Sequence, residues 1–157
     1  MDQIKELVEN IKKDPTSRRH VVSAWNPSDM EKMALPPCHI LFQVNVDGEY
    51  LDMMFYMRSC DVFLGLPWNI PSYSLLLSMI ACVTGKIARY VHVNLGDCHI
   101  YANHVTQCVQ QISRRDKMFP FPKLLLRVKD DIDAFCLEDI EVEGYEYHPG
   151  IKADMAV

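Results

Sequence analysis

Cys38 stands directly behind two prolines, in Leu35-Pro36-Pro37-Cys38-His39, and directly ahead of an alternating apolar run, Ile40 to Val46. Each proline fixes its own φ and pushes the residue before it away from helix, so the thiol sits on a stiff, extended approach. A held thiol with cations around it can act as a nucleophile, because the reactive species is the thiolate. Arg18-Arg19 and Arg58 are the cations this chain offers. Taken alone, the position also suits a buried, inert cysteine, since free cysteine is among the most buried residue types. Arg18-Arg19 likewise reads either as a solvated pair or as a phosphate clamp, guanidinium groups being suited to bidentate phosphate binding. His99 by itself is more often a satisfied structural histidine than a working one.

Length and composition narrow the chemistry further. The 157 residues, 49% hydrophobic and 24% charged, describe one soluble-type domain spanning 1–157. A net charge of -5 argues against a general nucleic-acid binder, yet leaves room for a small basic pocket around one phosphate. No apolar run approaches the ~18 residues of a membrane span, and Met1 to Glu6 lacks the shape of a signal peptide. A cytoplasmic protein with no membrane partner is the expectation. The six cysteines form no C-x-x-C pair, which argues for reduced thiols and against a disulfide framework. Cys38-His39 and Cys98-His99 are poor joint metal ligands, because adjacent strand residues point to opposite faces. No metal is expected.

The elements that position these residues can be read in order. Ile4, Leu7, Val8 and Ile11 form a helical stripe over residues 3–13, ended by Asp14-Pro15. Val21-Val22 begins a short strand, and Ser28 or Asp29 caps a short helical stretch. Residues 38–47 and 49–58 form a hairpin around Asp47-Gly48, the preferred type I′ pair. Both hairpin faces are fairly apolar, which predicts a sheet covered on one side by a helix and on the other by a second subunit. A helix capped at Asn69 or Ser72 runs to Thr84 and stops at Gly85; apolar all round, it is expected to be central and buried. A strand over Lys86 to Leu95 and a helix bearing Val105, Cys108, Val109 and Ile112 follow, with Arg114-Arg115 suiting that helix's C-terminal dipole. Leu124 to Val128 is a strand, and Phe135 to Val142 holds a last short strand before a turn-rich tail.

Together these segments resemble the thymidylate synthase family. The resemblance rests on Ser17-Arg18-Arg19, Ser23 to Pro27, Leu35 to His39, Arg58 to Pro67, Asn69-Ile70, Ser72-Tyr73, Gly96 to Tyr101 with Asn103-His104, and Glu143 to Lys152, in order over nearly the whole chain. It implies an α/β (α+β) fold with a large sheet and covering helices, a homodimer of back-to-back sheets, and reductive methylation of dUMP to dTMP by 5,10-methylenetetrahydrofolate as co-substrate.

By the same resemblance, Cys38 is the nucleophile that adds to C6 of the uracil ring. Arg58 and Ser59 are phosphate ligands, and Arg18 and Arg19 reach the partner subunit's phosphate. Asn69 reads the pyrimidine O4 and N3, while His99 and Tyr101 contact the sugar 3′-hydroxyl. Asp61, Leu64 and Gly65 are pterin contacts, Asp61 also standing with the catalytic and substrate residues, and Val157 closes over the site. An amide at Asn69 can accept from N3–H and donate to O4 of uracil, a pattern that cytosine inverts.

The sequence also departs from the family. No position matches its catalytic glutamate or the phosphate arginine of its flexible loop, so a separate N-terminal part is an expected partner. Met57, Trp68 and Asp154 stand where glutamine, phenylalanine and proline are commoner. Two other readings stay open: a pyrimidine deoxynucleotide hydroxymethylase relative, and a non-catalytic nucleotide- or RNA-binding remnant.

Overall fold

A computed structural model describes residues 1–155. Its centre is a four-stranded mixed sheet of order β1-β2-β3-β4, built from β1 (Val21–Ser23), β2 (His39–Asp47), β3 (Tyr50–Asp61) and β4 (Ile87–His99). β1/β2 and β2/β3 are antiparallel; β3/β4 are parallel. A parallel pair needs a crossover, and α2 (Leu66–Thr84) supplies it. The helix therefore starts at the C-terminal ends of the strands, the end at which open α/β sheets bind ligands. Elsewhere lie α1 (Gln3–Lys13), α3 (Val105–Ile112) and a separate hairpin of β5 (Lys123–Leu126) with β6 (Ile140–Glu143).

Helix α1 forms as its stripe predicts. Asp2 caps it by accepting from the Ile4 and Lys5 N–H groups, and Leu7, Val8 and Ile11 are buried. Those side chains join Phe42, Val44, Leu51, Met53, Phe55 and Met57 from one face of the sheet, and Leu77, Ile80, Ala81 and Val83 from α2, in one core. At the far end of the sheet from α2's start, Arg89 ties the strands together. It donates to Asp52 at 2.6 and 3.0 Å and to Asp47 at 3.0 Å, and it lies over the Tyr50 and Tyr90 rings.

Several expectations need correction. The hairpin register pairs Asp47 with Tyr50, so the turn residues are Gly48-Glu49 rather than Asp47-Gly48. Only Gly48 has positive φ, 60°, the type II′ pattern and not type I′. Asn26, not Ser28 or Asp29, caps the short 3-10 helix Pro27–Lys32, its side chain accepting from the Ser28 N–H. Helix α2 begins three residues before Asn69, with Pro67 in its first turn and Pro71 inside it. Only part of α2 is buried: Trp68 is 75% exposed and Ile70 40%. Its 19 residues, at mean hydropathy 1.3, do reach the length and apolarity of a membrane span, against the expectation that no stretch would. In this fold one side of it lies on β3 and β4.

Strand β4 continues past Leu95 to His99, because β3 offers a parallel partner as far as Asp61. Arg114-Arg115 lies beyond the end of α3, where Arg114 donates to the Pro149 carbonyl at 2.8 Å. The short strand expected within Phe135 to Val142 is Ile140–Glu143, preceded by 3-10 turns at Ile132–Ala134 and Leu137–Asp139. The face of the sheet away from α2, carrying Asn45, His92 and Asn94, is open in the single chain.

Candidate functional site

The loop before β2 and the end of β3 are held by one residue. Arg58 donates through Nε to the Pro37 carbonyl at 3.1 Å and through Nη2 to the Pro36 carbonyl at 2.7 Å. Its backbone N–H donates to the Cys38 carbonyl at 2.9 Å. Prolines cannot donate, so their carbonyls are the groups such a loop can offer, and a guanidinium fork bridges two of them at once. Cys38 is thereby fixed, half-buried, beside a cation whose Nη1 makes no hydrogen bond among the described residues. A β-bulge between His39 and Leu41 then re-aims the first residues of β2.

His39 links the thiol's loop to α2. Its ring stacks on Tyr73 at 5.3 Å, and Tyr73 stacks on Phe55 at 4.0 Å, nearly parallel at 9°. Asn69 Nδ2 donates to His39 Nε2 at 3.3 Å, while His39 Nδ1 is buried without a partner. Burial lowers the His39 pKa by penalising the charged ring. Below ~6.5, the ordinary histidine value, the unfolded chain therefore binds a proton that folded His39 resists. The sign follows from linkage: stability falls as pH drops through 6.5 toward the lowered folded value. Melting curves between pH 8 and 5.5 are expected to show a smaller acid loss in His39→Gln than in the wild type; equal slopes would contradict this account of His39.

Three candidate residues lie on one continuous ladder. The Gly65 N–H donates to the Asp61 carbonyl at 3.1 Å, and the Asn69 N–H donates to the Gly65 carbonyl at 3.0 Å. Asp61, Gly65 and Asn69 thus follow one another at helical spacing along one side of the turn that starts α2. Asp61 Oδ1 accepts from the Phe63 and Leu64 N–H groups at 3.0 and 3.3 Å. A side chain at Gly65 would meet the Asp61 carbonyl at 2.9 Å, so only glycine lets this turn close.

The parallel pairing brings in the remaining residues. Ser59 is the register partner of Asp97, and Asp61 of His99. His99 Nδ1 donates to Asp97 Oδ1 at 3.1 Å, and its ring meets Tyr101 edge-on at 4.8 Å. Tyr101 in turn meets His104 edge-on at 5.7 Å. Gly96 has no room for a Cβ, which would lie 2.8 Å from the Arg58 carbonyl and 2.9 Å from the Tyr56 hydroxyl.

Sequence reasoning assigned no role to His39 or His104. His104 is fully buried, its Nδ1 3.9 Å from Asp61 Oδ1. Its Nε2 donates to the Asp154 carbonyl at 2.8 Å, and Asn103 donates to the same oxygen at 3.1 Å. These bonds dock the tail onto the site. Val157, expected to close over it, lies outside the described residues. The available signal for both histidines was adjacency: one follows Cys38, and the other follows Tyr101 by three.

The chain brings together Cys38, Arg58, Ser59, Asp61, Leu64, Gly65, Asn69, His99 and Tyr101, but not Arg18 and Arg19. Those two are exposed and precede β1, whose register runs Val21↔Gln43 to Ser23↔Leu41. They therefore sit toward the Asn45 end of β2, about 20 Å of strand away from Cys38. Within one chain the expected convergence of arginines on the thiol reduces to Arg58. The family profile described as Thymidylate synthase matches residues 1–157, the whole chain.

Proposed function

We propose that this chain, which belongs to the thymidylate synthase family, takes dUMP to dTMP by reductive methylation through a covalent bond from Cys38. The observation that carries the reading is Arg58's hold on Pro36, Pro37 and Cys38: one cation positions the thiol and keeps N–H donors for an anion. In this reading Arg58 and Ser59 bind the phosphate, and His99 and Tyr101 take the sugar hydroxyl. Asn69 presents an amide to the uracil edge, its orientation set by the bond to His39. With one N–H on His39, the amide retains an N–H for O4 and Oδ1 for N3–H.

Cys38 Sγ then adds to C6, which makes C5 electron-rich. 5,10-Methylenetetrahydrofolate, the co-substrate used by the family in general, supplies the one-carbon unit and then a hydride. Asp61, Leu64 and Gly65 are the pterin contacts in this reading, the Asp61 Oδ2 having no backbone N–H on it among the described residues.

A homodimer completes the proposal. Arg18 and Arg19 are exposed and remote from their own chain's Cys38, which supports donation to a partner's phosphate across the open sheet face. The family's catalytic glutamate matches no position in these 157 residues, and an N-terminal part of the family fold is its proposed source. A cytoplasmic setting, where folate and nucleotide are both at hand, suits this chemistry.

Binding tests the nucleotide reading without turnover. Titration should show dUMP bound at least about tenfold more tightly than deoxyuridine, since phosphate contacts are charge-assisted, and more tightly than dCMP. Equal affinity for dUMP and deoxyuridine would contradict a phosphate site at Arg58.

A further inference from the structure

Two cysteines that the reaction does not use face each other beside the site. Cys60 lies between Ser59 and Asp61 on β3; Cys98 lies between Asp97 and His99 on β4. They are register partners on adjacent parallel strands, and both are free thiols. Neighbouring strands run about 4.8 Å apart, inside the roughly 4.4–6.8 Å Cα separation that a disulfide spans. Cys60 is completely buried and Cys98 is exposed. Burial pushes the Cys60 thiol up to about 11, and the adjacent Cys98 thiol adds to that rise. The pair therefore consists of one thiol that an oxidant can reach and one held protonated behind it.

We propose that Cys60 and Cys98 form a reversible, peroxide-driven disulfide that clamps β3 to β4 and weakens nucleotide binding at this site. The Cys98 thiolate attacks a peroxide oxygen; the O–O bond breaks, hydroxide leaves, and Cys98 becomes a sulfenic acid. Cys60 Sγ then attacks Cys98 Sγ; the S–O bond breaks, and the departing hydroxide takes the Cys60 proton as water. Two thiols lose two electrons and one peroxide becomes two waters.

The geometric consequence follows from bond length. A disulfide fixes its Cβ atoms about 3.8 Å apart while accepting Cα atoms at the ordinary strand spacing, so the two cysteine side chains must turn toward each other and β3 is locked to β4 at this point. Ser59, Asp61, Asp97 and His99 are the residues on either side of the two cysteines and are held with them. Misplacement of binding groups by about 1 Å can cost as much as a hundredfold. The bridge itself is independent of the proposed function; its effect on nucleotide affinity rests on that reading.

The test uses the full chain, reduced and then exposed to hydrogen peroxide, blocked with N-ethylmaleimide and digested without reductant. The expected mass spectrum contains the Cys60 peptide joined to the Cys98 peptide, two hydrogens lighter than their sum and separated by dithiothreitol. The oxidised chain should bind dUMP at least about tenfold more weakly, with recovery on reduction, whereas peroxide-treated Cys98→Ser should keep its affinity. A Cys60–Cys38 link, or Cys98 oxidised with Cys60 left free, would overturn the pair. A Cys60–Cys98 link with unchanged affinity, or equal loss in Cys98→Ser, would overturn the switch. A reduced chain that binds no dUMP would sink the nucleotide reading, while the masses would still decide the bridge.

Discussion

Replacing Cys38 by serine is expected to lower dTMP formation by on the order of 10⁴-fold or more while leaving dUMP binding within about threefold. Removing a covalent nucleophile costs nearly the whole chemical step, because the remaining groups can bind but cannot form the bond. Binding survives because the proposed nucleotide contacts are elsewhere: Arg58 and Ser59 for the phosphate, Asn69 for the base, His99 and Tyr101 for the sugar. The fold survives as well. Cys38 is half-buried, serine has nearly its shape, and the three Arg58 bonds to this loop end on backbone carbonyls that the substitution keeps. A melting shift within about 1 kcal/mol follows. Steady-state turnover and a dUMP titration on the same preparation check this. Parallel loss of binding and turnover would mean that Cys38 is a structural residue.

Exchanging Asn69 for aspartate should reverse the base preference. In the proposed site the amide offers uracil one donor and one acceptor; a carboxylate has acceptors only and sets an oxygen against O4. Sites built on hydrogen bonds reject a mismatched partner strongly, so kcat/KM for dUMP should fall about 10³-fold, roughly 4 kcal/mol, while dCMP affinity rises. His39 strengthens the effect. Its Nε2 accepts from Asn69 now, but facing a carboxylate it would have to donate, with the ring proton moved from Nδ1. Competition between dUMP and dCMP in binding, together with dUMP kinetics, separates this from plain damage. A variant that loses both nucleotides equally would contradict a base-reading role for position 69.

The features legible in sequence were those set by local periodicity. The stripe of α1 and the alternation of β2 and β3 are written in residues a few positions apart, and both formed as read. The start of α2 was not legible. Asn69 and Ser72 look like caps, yet the chain turns at Asp61 because a glycine at 65 lets the next turn close on the Asp61 carbonyl. Pro71, which suggests a later start, is carried inside the helix, while Pro67 sits in its first turn. The extension of β4 to His99 depended on a parallel partner far along the chain, and neither strand declares that pairing locally.

The site divides in the same way. Cys38 and Arg58 stood out by neighbourhood and residue type, and the chain does bring them together. His39 and His104 did not, because a lone histidine has no periodic signal and its value comes from burial and from Asn69 or Asp154 across the fold. The positions of Arg18 and Arg19 followed only from the β1/β2 register.

The most direct test of the account is a covalent trap on Cys38. Incubation with 5-fluoro-dUMP and 5,10-methylenetetrahydrofolate, with and without an N-terminal part taken from a family member, would be followed by intact and peptide mass spectra. Fluorine at C5 cannot leave as a proton does, so a working site should hold nucleotide and folate on the Cys38 peptide as one stable adduct. Nucleotide bound but no adduct on Cys38 in either preparation would contradict the catalytic reading.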